Sequence, residues 1–203
     1  MLSKLSKLLH SWARGWRILA LVAGFVAFEA ITLPRLQAAP GGNIVSLDAQ
    51  LFYTPEQAFA TVASYGDAAR FWIPVYLTWD VVNPILYTLI FSLLISWLLR
   101  RGFNDNVAQD AILRHTPASS KAKSRLQKLN LLLVGAGLCD LLENICIVTL
   151  LAVYPTQPAV VAWLSTICTV SKMSFLGVSA LLILVGVVAA AMKTLSRGRM
   201  ASP

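Results

Sequence analysis

Charged side chains are scarce in this chain. Asp, Glu, Lys and Arg make up 13% of its 203 residues, about half the share of a soluble domain. With 57% hydrophobic residues and a mean hydropathy of +0.69, that scarcity excludes an ordinary soluble protein and points to an integral membrane class. Histidine is nearly absent: His10 and His115 both fall outside the apolar stretches. No histidine is therefore placed in the membrane for haem, zinc or a serine triad. No G-x-S-x-G and no glycine-rich phosphate loop occurs. The three cysteines, Cys139, Cys146 and Cys168, lie in apolar segments without a C-x-x-C pair, which reads as small buried hydrophobes. Acid is also short, nine residues against seventeen bases. The bases flank apolar segments and no nucleic-acid motif accompanies them, so an anionic membrane face, and no nucleic acid, is the expected partner.

What is present is apolar and periodic. In residues 1–17 Leu2, Leu5, Leu8, Leu9, Trp12 and Trp16 can share one face, with Lys4, Lys7 and Arg14 off it, the pattern of an interfacial helix. Four apolar runs follow, at about 18–33, 73–99, 129–153 and 159–192, each long enough for a span. The first is expected to end at Pro34, the second at Arg100-Arg101 and the third at Tyr154-Pro155. The fourth is too long for a simple span, so it is tilted, kinked near Gly177 or extended past the bilayer. A basic start, an apolar core and Leu36-Gln37-Ala38-Ala39 resemble a secretory signal, but the long core and Pro40 favour a retained span.

Positive charge sets the expected orientation. The N-terminal tail, the 100–128 loop and the tail at 193–203 hold fourteen bases, whereas the opposite side has Arg35 and Arg70 only. Both termini are therefore expected in the cytoplasm, with a bacterial inner membrane as the simplest location. The 100–128 loop is polar and basic and reads as a solvated linker. In the outer segment, Thr54-Pro55-Glu56 signals a helix start and Gly66 a stop. Ala58, Phe59, Val62 and Ala63 supply helical spacing for a short amphipathic helix over the outer end of the bundle.

Five ionisable residues fall inside the spans: Glu29, Asp80, Asp140, Glu143 and Lys172. At about 1.5 Å per residue, all five lie between the outer third and the midplane. Tyr76, Asp80, Asn83 and Tyr87 follow one helical stripe, and Pro84 is expected to free a backbone carbonyl near Asp80. Asp140, Glu143 and Asn144 share a second face; Ser165, Thr169, Lys172 and Ser179 form a weaker third. Such faces must look inward, because none tolerates lipid. The structural alternative is a buried network, with Lys172 paired to Asp140 or Glu143 and Asp80 capping the kink or meeting Arg70. It leaves acid in excess over base, and clustered acids of that kind are common in functional sites.

Three activities fit. Asp80, Asp140 and Glu143 would serve as proton donor and base on a lipid or isoprenoid, with Arg70, Tyr76, Asn83, Tyr87, Asn144 and Lys172 holding the ligand. Trp72 and Trp79, with Tyr76 and Tyr87, would line its apolar pocket. Alternatively the acids hold Mg²⁺ and a lipid diphosphate, or they form an ion or proton path. No metal site is assigned, and the motifs name no cofactor and no oligomeric state.

Gly66-x-x-x-Arg70, Asp80-x-x-Asn83-Pro84-x-x-Tyr87 and Asp140-x-x-Glu143-Asn144 together resemble a group of small four-span bacterial membrane proteins. That resemblance covers roughly residues 52–145 and implies the fold but no activity. A looser, fold-level similarity is to emopamil-binding-protein-type isomerases, from which the chain departs in having no histidine beside its acids. The expected fold is an all-α integral membrane four-helix bundle, with an N-terminal interfacial helix, a short outer-loop helix, and a membrane domain over 18–192. Its expected partners are the bilayer and a lipid-like small molecule, bound or processed; a non-catalytic scaffold is the rival.

Overall fold

The computed structural model describes residues 2–113 and 128–200, with side chains described over 4–101, 128–192 and at 194. Arg114, His115, Lys121, Lys123 and Arg125 of the expected linker lie outside the described residues, as do the side chains of Leu2, Lys193, Arg197 and Arg199. No strand occurs among the described residues. The helices are α1 (Leu2–Trp12), α2 (Gly15–Gln37), α3 (Pro55–Tyr65), α4 (Ala69–Leu77), α5 (Trp79–Leu113), α6 (Leu132–Val153) and α7 (Ala159–Met200). Among the described residues, Gly15–Gln37, Pro55–Arg101, Lys128–Val153 and Ala159–Met192 are long and apolar enough to cross a membrane. The fold is all-α, as the composition requires.

Several expected boundaries move. Pro34 lies inside α2, which continues to Gln37, because a proline in the last turn removes one intrahelical bond without undoing the turns before it. The second run starts at Ala69 rather than Ile73 and breaks at Thr78, whose φ of −121° and ψ of −75° separate α4 from α5. Arg100 and Arg101 do not end α5, which runs on to Leu113. Arginine is a good helix former, so the pair marks a polarity edge and not a helix end. The 193–203 tail is helical as far as Met200.

The chain divides into two compact units: residues 1–20, 89–134 and 176–203 form one, and residues 21–88 and 135–175 the other. The first unit is organised around Asn130. Its amide donates to the Ser6 carbonyl (3.2 Å) and to Ser96 Oγ (2.9 Å), and Ser6 Oγ donates back to Asn130 Oδ1 (3.0 Å). This bonding turns α1 differently from its expected face. Ser6, Leu9 and Ala13 are buried, whereas Leu8, Trp12 and Trp16 are 54%, 55% and 66% exposed. Small Ser6 lets the backbone approach the Lys128–Leu131 turn, and the large residues stay outside, where Arg17 lies over both tryptophan rings at 5.1 and 5.4 Å.

The second unit has its apolar core where α3 and α4 meet the ends of α6 and α7. Leu47, Tyr53, Ala58, Val62 and Tyr76 pack there with Ile147, Leu150 and Ala162. Thr54 caps α3 in a capping box with Gln57, and Pro55 takes the first helical position. Ala63, expected on the apolar face, is exposed, and Tyr65 is buried in its place. The chain leaves α2 through Gly41 and Gly42. A Cβ on Gly42 would strike the Leu36 and Gln37 carbonyls, so only glycine permits this turn back onto the helix end. Gly137 likewise faces Thr88 with no room for a side chain, the close helix approach that Gly135-Ala136-Gly137 suggests. By contrast α2 is barely covered: only 6% of its apolar window is buried.

Replacing Asn130 with Leu removes the three hydrogen bonds that join Ser6 and Ser96 to it and leaves an apolar side chain against their polar groups. We expect a stability loss of about 1–3 kcal/mol in detergent unfolding, with faster proteolysis after Arg14. An unchanged unfolding curve would show that α1 is not anchored through Asn130.

Candidate functional site

Every group of the central cluster lies in the second unit. On α6 the i, i+3, i+4 spacing puts Asp140, Glu143 and Asn144 on one face, and all are buried: 8%, 0% and 2% exposed. Lys172 of α7 reaches between the two acids. Its Nζ is 2.9 Å from Asp140 Oδ1 and 2.6 Å from Glu143 Oε2. The remaining carboxylate oxygens have their own donors. Tyr87 of α5 donates to Asp140 Oδ2 (2.8 Å), and Thr169, one turn before Lys172, donates to Glu143 Oε1 (2.5 Å). A buried ion pair repays its desolvation best when the leftover lone pairs are also bonded. Asp140 meets that condition, whereas Glu143 is hydrogen-bonded at Oε1 and held at Oε2 by the Lys172 charge without an aligned hydrogen bond.

Asn144 serves the neighbouring helix. Its Nδ2 donates to the Asp80 carbonyl at 2.9 Å. Residue 84 would normally bond that carbonyl, but it is Pro84, which has no N–H. The proline frees an acceptor and Asn144 takes it, which ties Asp80 to the α6 face.

The segment that precedes α3 also enters the site. Tyr53 is fully buried; its hydroxyl donates to Ser165 Oγ (2.6 Å), and its carbonyl accepts from Thr166 Oγ1 (2.9 Å). Burial pushes the Tyr53 hydroxyl above its usual pKa, so it stays a neutral donor. Asp48, in a short 3₁₀ turn over Leu47–Ala49, accepts from Tyr76 at 3.2 Å.

Asp80 stands apart from the triad. It is 9% exposed, and its Oδ2 is buried with no hydrogen-bond partner. It lines a cavity of about 270 Å³ together with Asp48, Tyr65, Trp72, Tyr76 and Trp79. The Trp79 indole N–H is likewise buried and without a partner, whereas Trp72 Nε1 donates to the Pro40 carbonyl at 2.7 Å. Leu33 of α2 belongs both to this cavity and to a shallow groove formed by Phe25, Val26, Glu29, Ala30 and Pro34.

The structure thus brings together Asp140, Glu143, Lys172, Tyr87 and Asn144, joins Asp80 to them through Asn144, and sets Tyr76 beside Asp80 on the cavity wall. It does not bring in Arg70, which is exposed and makes no ion pair with Asp80. Asn83 is half-buried and makes no side-chain hydrogen bond. Tyr87 faces Asp140 instead of lining the aromatic cavity. Lys172 takes both acids, not one of them. Ser179, expected on the Lys172 stripe, belongs to the other unit. Among the described residues no three His, Cys, Asp or Glu side chains gather as a metal would need. Asp48 and Tyr53 were not legible as site residues. The one signal for Tyr53 is its place just before the Thr54 cap, where an apolar residue staples to the fourth helical position, here the equally buried Ala58.

Asn144→Leu should leave the Asp80 carbonyl orphaned and cost about 1–3 kcal/mol. Adding Pro84→Ala restores an N–H at residue 84 and should recover most of that loss. Denaturant unfolding of both variants checks this; a double mutant no more stable than Asn144→Leu alone would refute the carbonyl exchange.

Comparison with protein-family models, curated proteins and solved structures finds no match. Fold and composition by themselves make this chain a multi-pass membrane protein, with a buried ion triad and an acidic aromatic cavity in one of its units.

Proposed function

We propose that the protein binds a lipid-like amphipathic ligand, whose polar end enters the cavity bounded by Asp48 and Asp80. One observation carries this reading. Asp80 keeps a buried carboxylate oxygen without a partner on the wall of a cavity, a costly arrangement that a bound ligand would relieve. The apolar route fits as well: Leu33 joins the cavity to a groove on α2, the helix with the least protein cover. The ligand's apolar part would lie along that groove and its head among the aromatics.

The expected division of labour among the acids changes accordingly. Asp140, Glu143 and Lys172 satisfy one another, which favours a structural role for them. The two carboxyls that share a void are Asp80 and Asp48. Of the two, Asp80 has the buried carboxylate oxygen without a partner, so any proton transfer to a bound ligand would run through it. The fourteen-to-two bias of bases supports a reading with both termini in the cytoplasm. In a bacterial inner membrane, this puts the cavity on the outer side.

Native mass spectrometry of the protein extracted from its own membrane provides the test. Wild type should retain a lipid-sized adduct, and Val75→Trp, which fills the cavity wall, should lose most of it. Asp80→Leu should lose it too. An adduct insensitive to both changes, or none at all, would remove the proposal.

A further inference from the structure

We infer that the ligand's polar end is an organic ammonium group, seated between Asp48 and Asp80 against the rings of Trp72, Tyr76 and Trp79. This rests on the reading of the cavity as a ligand site and adds the chemistry of the head. Among the described residues no lysine or arginine lines the cavity, so none of them is a counterion for its two carboxyls there. Tyr76 supplies Asp48 with one neutral hydrogen bond, and Asp80 Oδ2 has none. Among the described residues Lys172 is the base paired to the neighbouring acids, and Asp140 and Glu143 hold it. A positive charge is the missing element.

The walls identify which kind of cation. Ca²⁺ and Mg²⁺ ask for about six or more oxygen ligands and zinc for about four N, S or O ligands, whereas the cavity offers two carboxyls among indole and phenol rings. Trp72 meets Tyr65 at 5.9 Å and Tyr76 at 6.4 Å between ring centroids, which sets several π-faces around one void. Such rings attract alkylammonium groups. The cavity's 270 Å³ equals the liquid share of about nine water molecules at ~30 Å³ each. That space suits an ethanolamine- or choline-sized head, with any longer tail outside. The unpartnered Trp79 N–H supplies a donor for an oxygen next to the ammonium. A zwitterionic lipid headgroup and a free hydroxyalkyl amine share this chemistry.

Calorimetry of the full chain in detergent, with choline and its uncharged isostere 3,3-dimethylbutan-1-ol, provides the test. Choline should bind at least about tenfold more tightly than the isostere. Asp80→Asn and Asp48→Asn should each erase most of that preference, with helical content and unfolding unchanged. In nanodiscs, retention of phosphatidylethanolamine over phosphatidylglycerol would indicate a headgroup source; choline binding without such retention would indicate a free amine. Equal binding of choline and its isostere overturns the ammonium and leaves a ligand site standing. So does failure to bind either choline or the zwitterionic lipid while Val75→Trp still displaces an adduct. If Val75→Trp displaces nothing, the ligand-site reading falls as well.

Discussion

One lysine shared by two buried carboxylates sets the terms for the second unit. Removing an ammonium or a carboxylate from water costs several kcal/mol even after relaxation, and that cost is recovered only in a tight, fully bonded arrangement. Lys172 therefore fixes where α6 and α7 stand relative to each other at Asp140 and Glu143. Tyr87 brings α5 into the same arrangement through Asp140, and Thr169 completes Glu143. Lys172 is held at these two acids, and the Asp80 carboxylate faces the cavity.

The backbone follows a similar logic of vacancy and substitution. Pro84 removes an N–H that α5 needs, and Asn144 replaces it from another helix. In a membrane a freed carbonyl has no water to fall back on, so the exchange links helices as firmly as apolar contact does. Leu47 and Tyr53 pin the segment between them to the core. Its Tyr53 hydroxyl meets Ser165, and Asp48 meets Tyr76. The segment between α2 and α4 is thus a wall of the site, and α3 is the part of it that the cap and proline signals announced.

Much of this was legible because helical spacing is rigid. Asp80 and Tyr87, and Asp140, Glu143 and Asn144, had to share faces once their segments were helical, and apolar surroundings forced those faces inward. The proline-freed carbonyl followed from the missing N–H alone. What could not be read was pairing across helices. Nothing local says that Lys172 takes both acids, that Arg70 stays outside, or that Asp48 approaches Tyr76 across 28 positions. Helix ends were also elusive: Pro34 and Arg100-Arg101 mark changes in bonding or polarity, and the backbone continues through both. On α1 the hydrophobic pattern named the large residues correctly, but the bonds of Ser6 to Asn130 decided which face turned in.

The account's central claim is that Lys172, Asp140 and Glu143 act as one unit. Unfolding free energies of Lys172→Met, of Asp140→Asn with Glu143→Gln, and of all three together test it directly. Lys172→Met alone should cost about 3–5 kcal/mol, because it strands two buried carboxylates. The triple variant should be clearly more stable than Lys172→Met, a strongly non-additive cycle. If the losses simply add, Lys172 does not hold the two acids and the triad is not the anchor of this unit.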